Sequence, residues 1–432
     1  VGILDASFGT GGKAFTPIPG LLWSPYSAVD MESAPDGTVV VAAGDNYTHT
    51  GFGPSPSIVV RYGPNGQPTG LGGGVLRTNF VDGRSFAPED MAIDSQGRIV
   101  LAGTLGAIYY GEATQALIAR YLPDGNLDPT FGDSGVVLTS FDLPPPRGIG
   151  PSDSRGVRAT AAAIDPQGRI LLGVSSKAYT GICYAVSGKY AFARRDVNNS
   201  FVMRLNPDGS LDSTFGDGGK VAEPDAFQIE ELEADDGGAV VLSGRLQAEC
   251  GAGEGTLRRI GSDGMPDESF ASAASLAMSG YLPKQIALGR QGSILALQTS
   301  LPPRGAITRL RANGLLDPSF GRAGSAQLPV GHTSSITIDT RNRILVAGGG
   351  AWTTWKKKVH QVVLARLDQR GRLDATFGHG GYVGTKFGHR IRVAPLEVLV
   401  DGRGHVILAC AFWHHHDISQ NGLVIVRFKL GG

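Results

Sequence analysis

The chain is short of the residues that usually announce chemistry. Three cysteines in 432 residues cannot build a thiolate metal cluster or a dense disulfide framework. No apolar run approaches the roughly eighteen residues of a membrane helix. Charge of either sign in excess is also missing: 39 Lys and Arg balance 39 Asp and Glu, which removes the electrostatic case for nucleic acid or an anionic membrane. Gly-x-Ser-x-Gly, His-Glu-x-x-His, a phosphate loop and a paired-cysteine motif are all absent. The sequence opens at Val1 with neither a methionine nor an apolar leader. The expectation is a processed chain and a secreted, periplasmic or cell-surface location.

Glycine is what the chain has in plenty. Its 64 copies fall beside Asp, Asn and Pro, as turn punctuation between many short strands. The phrase Arg204-Leu-Asn-Pro-Asp-Gly-Ser-Leu-Asp-Ser-Thr-Phe-Gly216 organises the rest. Its second half recurs from Leu4, Leu127, Pro266, Leu316 and Leu373, and its arginine recurs as Arg61, Arg120, Arg259, Arg309, Arg366 and Arg427. A repeat of about sixty residues means one supersecondary unit stacked many times.

Each cycle reads alike. A short inner run is followed by an Asp-x-x-Gly turn, a β-branched run such as Ile170 to Val174, a loop of variable length, the arginine strand, an Asn-Pro-Asp-Gly turn and a fourth extended segment. The spacing predicts an all-β, seven-bladed β-propeller of four-stranded antiparallel blades, forming a single domain over 1–432, with blade 7 built on 391–432. A β-helix fits less well, because its coils are shorter and more even. Ala-rich inner runs such as Ala161 to Ala163 suggest small side chains crowded round the axis.

The two ends are complementary. Arg427 lacks the motif that follows the other arginines, while Leu4-Asp-Ala-Ser-Phe-Gly9 lacks a preceding arginine strand. Residues 1–16 are therefore expected to supply the outermost strand of blade 7, with a ladder between 4–15 and 423–430. That closes the ring and removes free sheet edges. The arginine and the aspartate eight positions on should pair across a hairpin (Arg120 with Asp128, Arg204 with Asp212, Arg259 with Asp267, Arg309 with Asp317, Arg366 with Asp374, and Arg427 with Asp5). The phenylalanines should fill the gaps between blades.

The pattern Arg-Leu-Asn-Pro-Asp-Gly-x-Leu-Asp-x-Thr-Phe-Gly, with Ile-Asp-x-x-Gly-Arg-Ile-Leu, resembles the bacterial delta-60 repeat family and is similar in layout to NHL-type propeller repeats. The resemblance spans essentially the whole chain. It implies a propeller and a tendency towards surface or secreted proteins, with no catalytic residues to carry over. Cycle one departs from it at Gln67 to Gly74, which suggests an irregular outer strand there.

Residues repeated in six or seven copies are structural, so function is expected where the repeat breaks. Length variation gathers on the face carrying the second-to-third loops and blade connections, and aromatics gather with it. The binding candidates are Trp23, Tyr109, Tyr110, Arg194, Arg195, Trp352, Trp355, Lys356 and Trp413, for a protein or glycan partner. His389, His414 and His416, with His360 nearby, could hold a metal, although a polar exposed loop explains them as well; no cofactor is otherwise expected. Cys183 and Cys250 occupy equivalent loops of adjacent blades and could form a disulfide, whereas Cys410 reads as a buried thiol. The leading reading is a non-catalytic binding or structural propeller. A hydrolase or lyase using His332, His389, His414, His416 and Asp417 at the channel mouth, and a self-assembling subunit, are the alternatives.

Overall fold

The computed structural model describes residues 3–18, 29–43, 57–78, 86–106, 115–139, 156–183, 193–223, 227–246, 254–278, 283–298, 305–328, 333–349, 361–387, 391–414 and 421–430. Seven antiparallel sheets lie round an axis, and their innermost strands neighbour one another in a closed cycle. Blade 3 shows the plan: an inner strand Gly156–Ile164, then Ile170–Cys183, Ala193–Leu205 and an outer strand Lys220–Ala222. The second strands Val39–Ala43, Ile99–Leu105 and Ile294–Gln298 are wholly buried, because both their faces meet a neighbouring blade.

Each seam between blades has its own apolar cluster, seven in all among the described residues. A phenylalanine of the repeated motif sits in six of them: Phe8, Phe131, Phe215, Phe270, Phe320 and Phe377, each essentially inaccessible to water. Leu71 takes this place between blades 1 and 2. The glycine-rich departure in cycle one thus reroutes the loop without disturbing the outer strand. Val75–Thr78 pairs regularly with Ser57–Tyr62.

The ring closes through the N-terminal segment. Ile3 and Leu4 pair with Lys429 and Phe428, and Lys13 to Pro17 pair with Val426 to Gly422, so both stretches lie on the last strand, Gly422–Lys429. Asp5 meets Arg427 at 2.9 Å across this joint, and Tyr62 of blade 1 donates to the Thr16 hydroxyl at 2.8 Å.

Blade 4 differs from the expected four strands. It has three, Phe227–Ala234, Val240–Leu246 and Glu254–Ile260, and its fourth element is an α-helix, Glu268–Met278. The cause is the loss of the motif's glycines. In other blades the motif phenylalanine precedes a glycine at positive φ (+55° at Gly216), where a Cβ would run into the Lys220 carbonyl. In blade 4 that residue is Ala271, and Ala273 and Ala274 replace the next two left-handed glycines of blade 3, so the turns are disfavoured and the alanine-rich segment continues as a helix. Asp267 accepts the Phe270 amide at 3.0 Å, and Phe270, Ala274 and Met278 line the buried face.

The segment between Ser175 and Ser200 is also not simply a loop. Its flanks extend the central strands of blade 3 as a long hairpin, with Ile182 opposite Arg194 and Cys183 opposite Ala193.

Candidate functional site

The repeated arginines do more than pair within their hairpins. Arg204 donates from Nε to Asp212 at 2.8 Å, from Nη2 to Thr214 at 3.2 Å, and from Nη1 across the seam to the Ser262 carbonyl of blade 4. Its guanidinium lies 4.4 Å from the Phe215 ring centre. All seven arginines reach the next blade in the same sense. Arg61 reaches Pro123, Arg120 Pro207, Arg259 Ala312, Arg309 Gln369, Arg366 Leu430, and Arg427 returns to Pro64. Burial opposes ionisation of Asp212. The Thr214 hydroxyl and amide and the Arg204 guanidinium outweigh it, and the carboxyl stays below its ordinary range. Asp128, Asp317 and Asp374 follow the same pattern, each with its own hydroxyl partner and arginine.

Arg61, in the cycle without the motif, pairs with Asp36 at 2.7 Å, and Arg259 departs from the pattern although its motif aspartate is present. Its expected partner Asp267 caps the helix instead, and the guanidinium turns to Asp235 at 3.0 Å. Its side chain is 30% exposed, against 1% for Arg204.

At the axis the small-residue expectation fails. Asp30, Asp90, Glu231, Gln285, Ser335 and Glu397 occupy one structural column of the inner strands, with Ala161 in the seventh place. In six blades a one-residue bulge lies beside this column (for example between Pro88 and Asp90). A bulge interrupts the ladder, and the following amides donate to side chains of the preceding blade. Met91 donates to Asp30 at 2.8 Å, Ala162 to Asp90 at 2.6 Å and Ile286 to Glu231 at 2.6 Å. Ile336 donates to Gln285 at 2.7 Å, Val398 to Ser335 at 3.1 Å and Met31 to Glu397 at 2.8 Å. These contacts make a belt round the channel, interrupted only at Ala161. There Thr160 donates to the Ile229 carbonyl at 3.0 Å instead.

Two further acids, Glu32 and Glu233, point into a cavity of 850 Å³. Its walls come from the ends of the inner strands nearest the tight turns, and include Asp235, Arg259, Arg290 and Glu397. The cavity therefore lies towards the uniform face, not the face of long loops. Burial, then the charge of Asp30, raises the Glu233 carboxyl to about 7. Burial, then Asp30 and Glu233, pushes Glu32 well above the carboxylate range. A channel lined by acids that resist ionising can hold or donate protons. Among the described residues no group of three His, Cys, Asp or Glu has a metal-binding arrangement.

A family model described as "Domain of unknown function (DUF5122) beta-propeller" matches residues 95–131 and 186–215. The match covers two stretches of the repeat and supports β-propeller repeats, the coarser form of the delta-60 resemblance. No curated protein matches the sequence. Among solved structures, a protein of unknown function from Dyadobacter fermentans is 11% identical, with a TM-score of 0.43 over 81% of this chain and 95% of that one. The NanB sialidase of Streptococcus pneumoniae is 10% identical, with a TM-score of 0.45 over 96% and 70%. The α-L-arabinofuranosidase Arb93A of Fusarium graminearum is 9% identical, with a TM-score of 0.42 over 97% and 98%.

Of the residues singled out in the sequence, Trp23, Tyr109, Tyr110, Cys250, His332, Trp352, Trp355, Lys356, His360, His389, His416 and Asp417 lie outside the described residues. Arg194, Arg195 and Cys183 are on the long hairpin of blade 3. Trp413 and His414 belong to the strand His405–His414, opposite Arg392 and Ile391, and are not loop residues. Trp413 is half-buried, and Cys410 on the same strand is a buried free thiol. No helix among the described residues is long and apolar enough to cross a membrane.

The axial carboxylates were missed in the sequence because inner runs were judged by side-chain size. Setting the runs in register would have found them: an acid or amide precedes Met31, Met91, Leu232, Ile286 and Val398 in five of seven cycles.

Proposed function

We propose that this chain is an exported, non-catalytic binding propeller that presents its long-loop face to a protein or glycan. The observation that carries the reading is how fully the repeated polar groups are used up inside the frame. Six of the seven arginines have an Nε partner within their own blade, five of them the carboxylate of the motif aspartate. The belt acids accept amides from neighbouring blades. A frame that satisfies itself leaves recognition to the segments between strands, where Trp352, Trp355 and Lys356 fall close together in the sequence. A glycan array spanning neutral and acidic polysaccharides tests this. Retention of at least one class, weakened about tenfold in a Trp352→Ala, Trp355→Ala variant, is expected, since stacked aromatics of that kind contribute about 1–3 kcal/mol. No retention, or retention indifferent to the two tryptophans, refutes the glycan as partner.

A hydrolase working from the axial cavity is the second reading, favoured by Glu233. A carboxyl held at about 7 inside a cavity is in the range a general acid needs. Nitrophenyl glycosides offer the assay: turnover abolished by Glu233→Gln supports this reading, and absence of turnover removes it.

A further inference from the structure

Three carboxylic acids from three blades converge on two backbone amides at the axis. The Met31 amide lies 2.8 Å from Asp30 Oδ1 and 2.8 Å from Glu397 Oε2. The Met91 amide lies 2.8 Å from Asp30 Oδ2 and 2.9 Å from Asp90 Oδ1. One N–H hydrogen cannot neutralise two anionic oxygens, so the row Glu397–Asp30–Asp90 holds together only if protons are shared along it.

The surroundings point the same way. Glu32 lies two residues beyond Asp30 on the same strand, and Glu231 and Glu233 come from the inner strand of blade 4. Lys284 of blade 5 is the cation whose charge reaches the row. Its Nζ donates to the Ser334 carbonyl at 3.0 Å, and it acts on Glu397 and Glu231. The inner strand of blade 6 contributes only the hydroxyl of Ser335, and Arg158 of blade 3 is engaged by both oxygens of Glu89. Burial raises all three carboxyls of the row, and the Asp30 charge adds to the rise at Asp90 and Glu397.

We propose that Glu397, Asp30 and Asp90 form a proton-held seam across blades 7, 1 and 2, closed while protons bridge the row and loosened in alkaline conditions when they are lost. The seams concerned lie on either side of the inner strand of blade 1, on the axial side of the sheets, whereas the two chain ends meet on the outer edge of blade 7. The sign follows from linkage. Carboxyls raised in the folded state make it bind more protons than the unfolded chain. Their stabilising contribution is complete below the unfolded values of 3.8 and 4.5 and is lost as pH rises through the folded ones.

The test is thermal unfolding between pH 6 and 9.5 for the full chain, Asp90→Asn and Glu397→Gln. The carboxamides keep hydrogen-bonding capacity and cannot ionise. The parent should lose stability with pH. Each variant should flatten that dependence by up to about tenfold in the unfolding constant per pH unit, and should overtake the parent at the alkaline end. Parallel curves for parent and variants overturn the proposal. Infrared spectroscopy of a Glu32→Gln, Glu231→Gln, Glu233→Gln background, which removes the other raised carboxyls at the axis, decides the matter even if the row variants do not fold. A protonated carboxyl band at pH 7 that vanishes on alkalinisation supports the seam, and its absence overturns it. Amide exchange locates the effect: protection at Met31 and Met91 should fall with pH beyond the intrinsic base dependence, while Val398, held by a serine, should not. Equal behaviour at all three sites overturns the assignment to this row.

Discussion

Arg204→Ala is the sharpest probe of the frame. The substitution removes a guanidinium whose side chain is 1% exposed. It deletes the bonds to Asp212 (2.8 Å) and Thr214 (3.2 Å), the bond to the Ser262 carbonyl, and the contact with the Phe215 ring. Asp212 is left behind with the Thr214 amide and hydroxyl and a distant Arg169 at 3.5 Å. Breaking such a buried pair costs about 3–5 kcal/mol. Unfolding entropy of about 2 cal/mol/K per residue gives roughly 0.9 kcal/mol/K for this chain, so the melting temperature should drop by about 3–6 °C in scanning calorimetry. Arg259→Ala is the internal control. It removes an arginine that is 30% exposed and already without its motif aspartate, and should cost about 1 kcal/mol, near the surface-pair range. The pH profile adds a second check. Asp212 is depressed in the folded state, so its contribution is present above 3.8 and is lost as acid carries the pH below that. This acid sensitivity should shrink in Arg204→Ala. Equal melting temperatures for the two variants would refute the view that the buried pair with the motif aspartate carries the stabilisation.

Two further outcomes bear on the same frame. Deleting residues 1–17 removes both segments paired with the last strand and the Asp5 partner of Arg427, so it should lower the melting temperature more than any single arginine variant; a shift of one degree or less would mean the ring does not depend on that joint. Gly216→Ala forces a side chain into a left-handed turn against the Lys220 carbonyl and should destabilise by about 1–3 kcal/mol in urea titration, whereas the same change at Gly168, with open space around its Cβ, should cost less.

The repeat made the blades and the ring closure readable, because the motif appears without its arginine at one end and the arginine without its motif at the other. Arg204 and Asp212 were readable as a pair for the same reason, their spacing being constant. The helix of blade 4 was not. Ala271, Ala273 and Ala274 stand where blade 3 has Gly216, Gly218 and Gly219, and the consequence of losing those left-handed turns is steric and local. The belt was not readable either, since Asp30, Asp90 and Glu397 lie in short runs whose register depends on bulges that composition does not reveal. The reach of each arginine into the next blade is a property of the assembled ring, and no sequence spacing encodes it.

The arginine contacts also have a direction: every blade holds the one after it, and Arg427 passes the hold from blade 7 back to blade 1. In a linear solenoid the terminal repeats have a neighbour on one side only, and melting can start there and propagate inwards. Here each unit has both neighbours, so there is no end to fray. Local opening has to break two seams at once, and the expected behaviour is a single cooperative transition in which all seven blades are lost together.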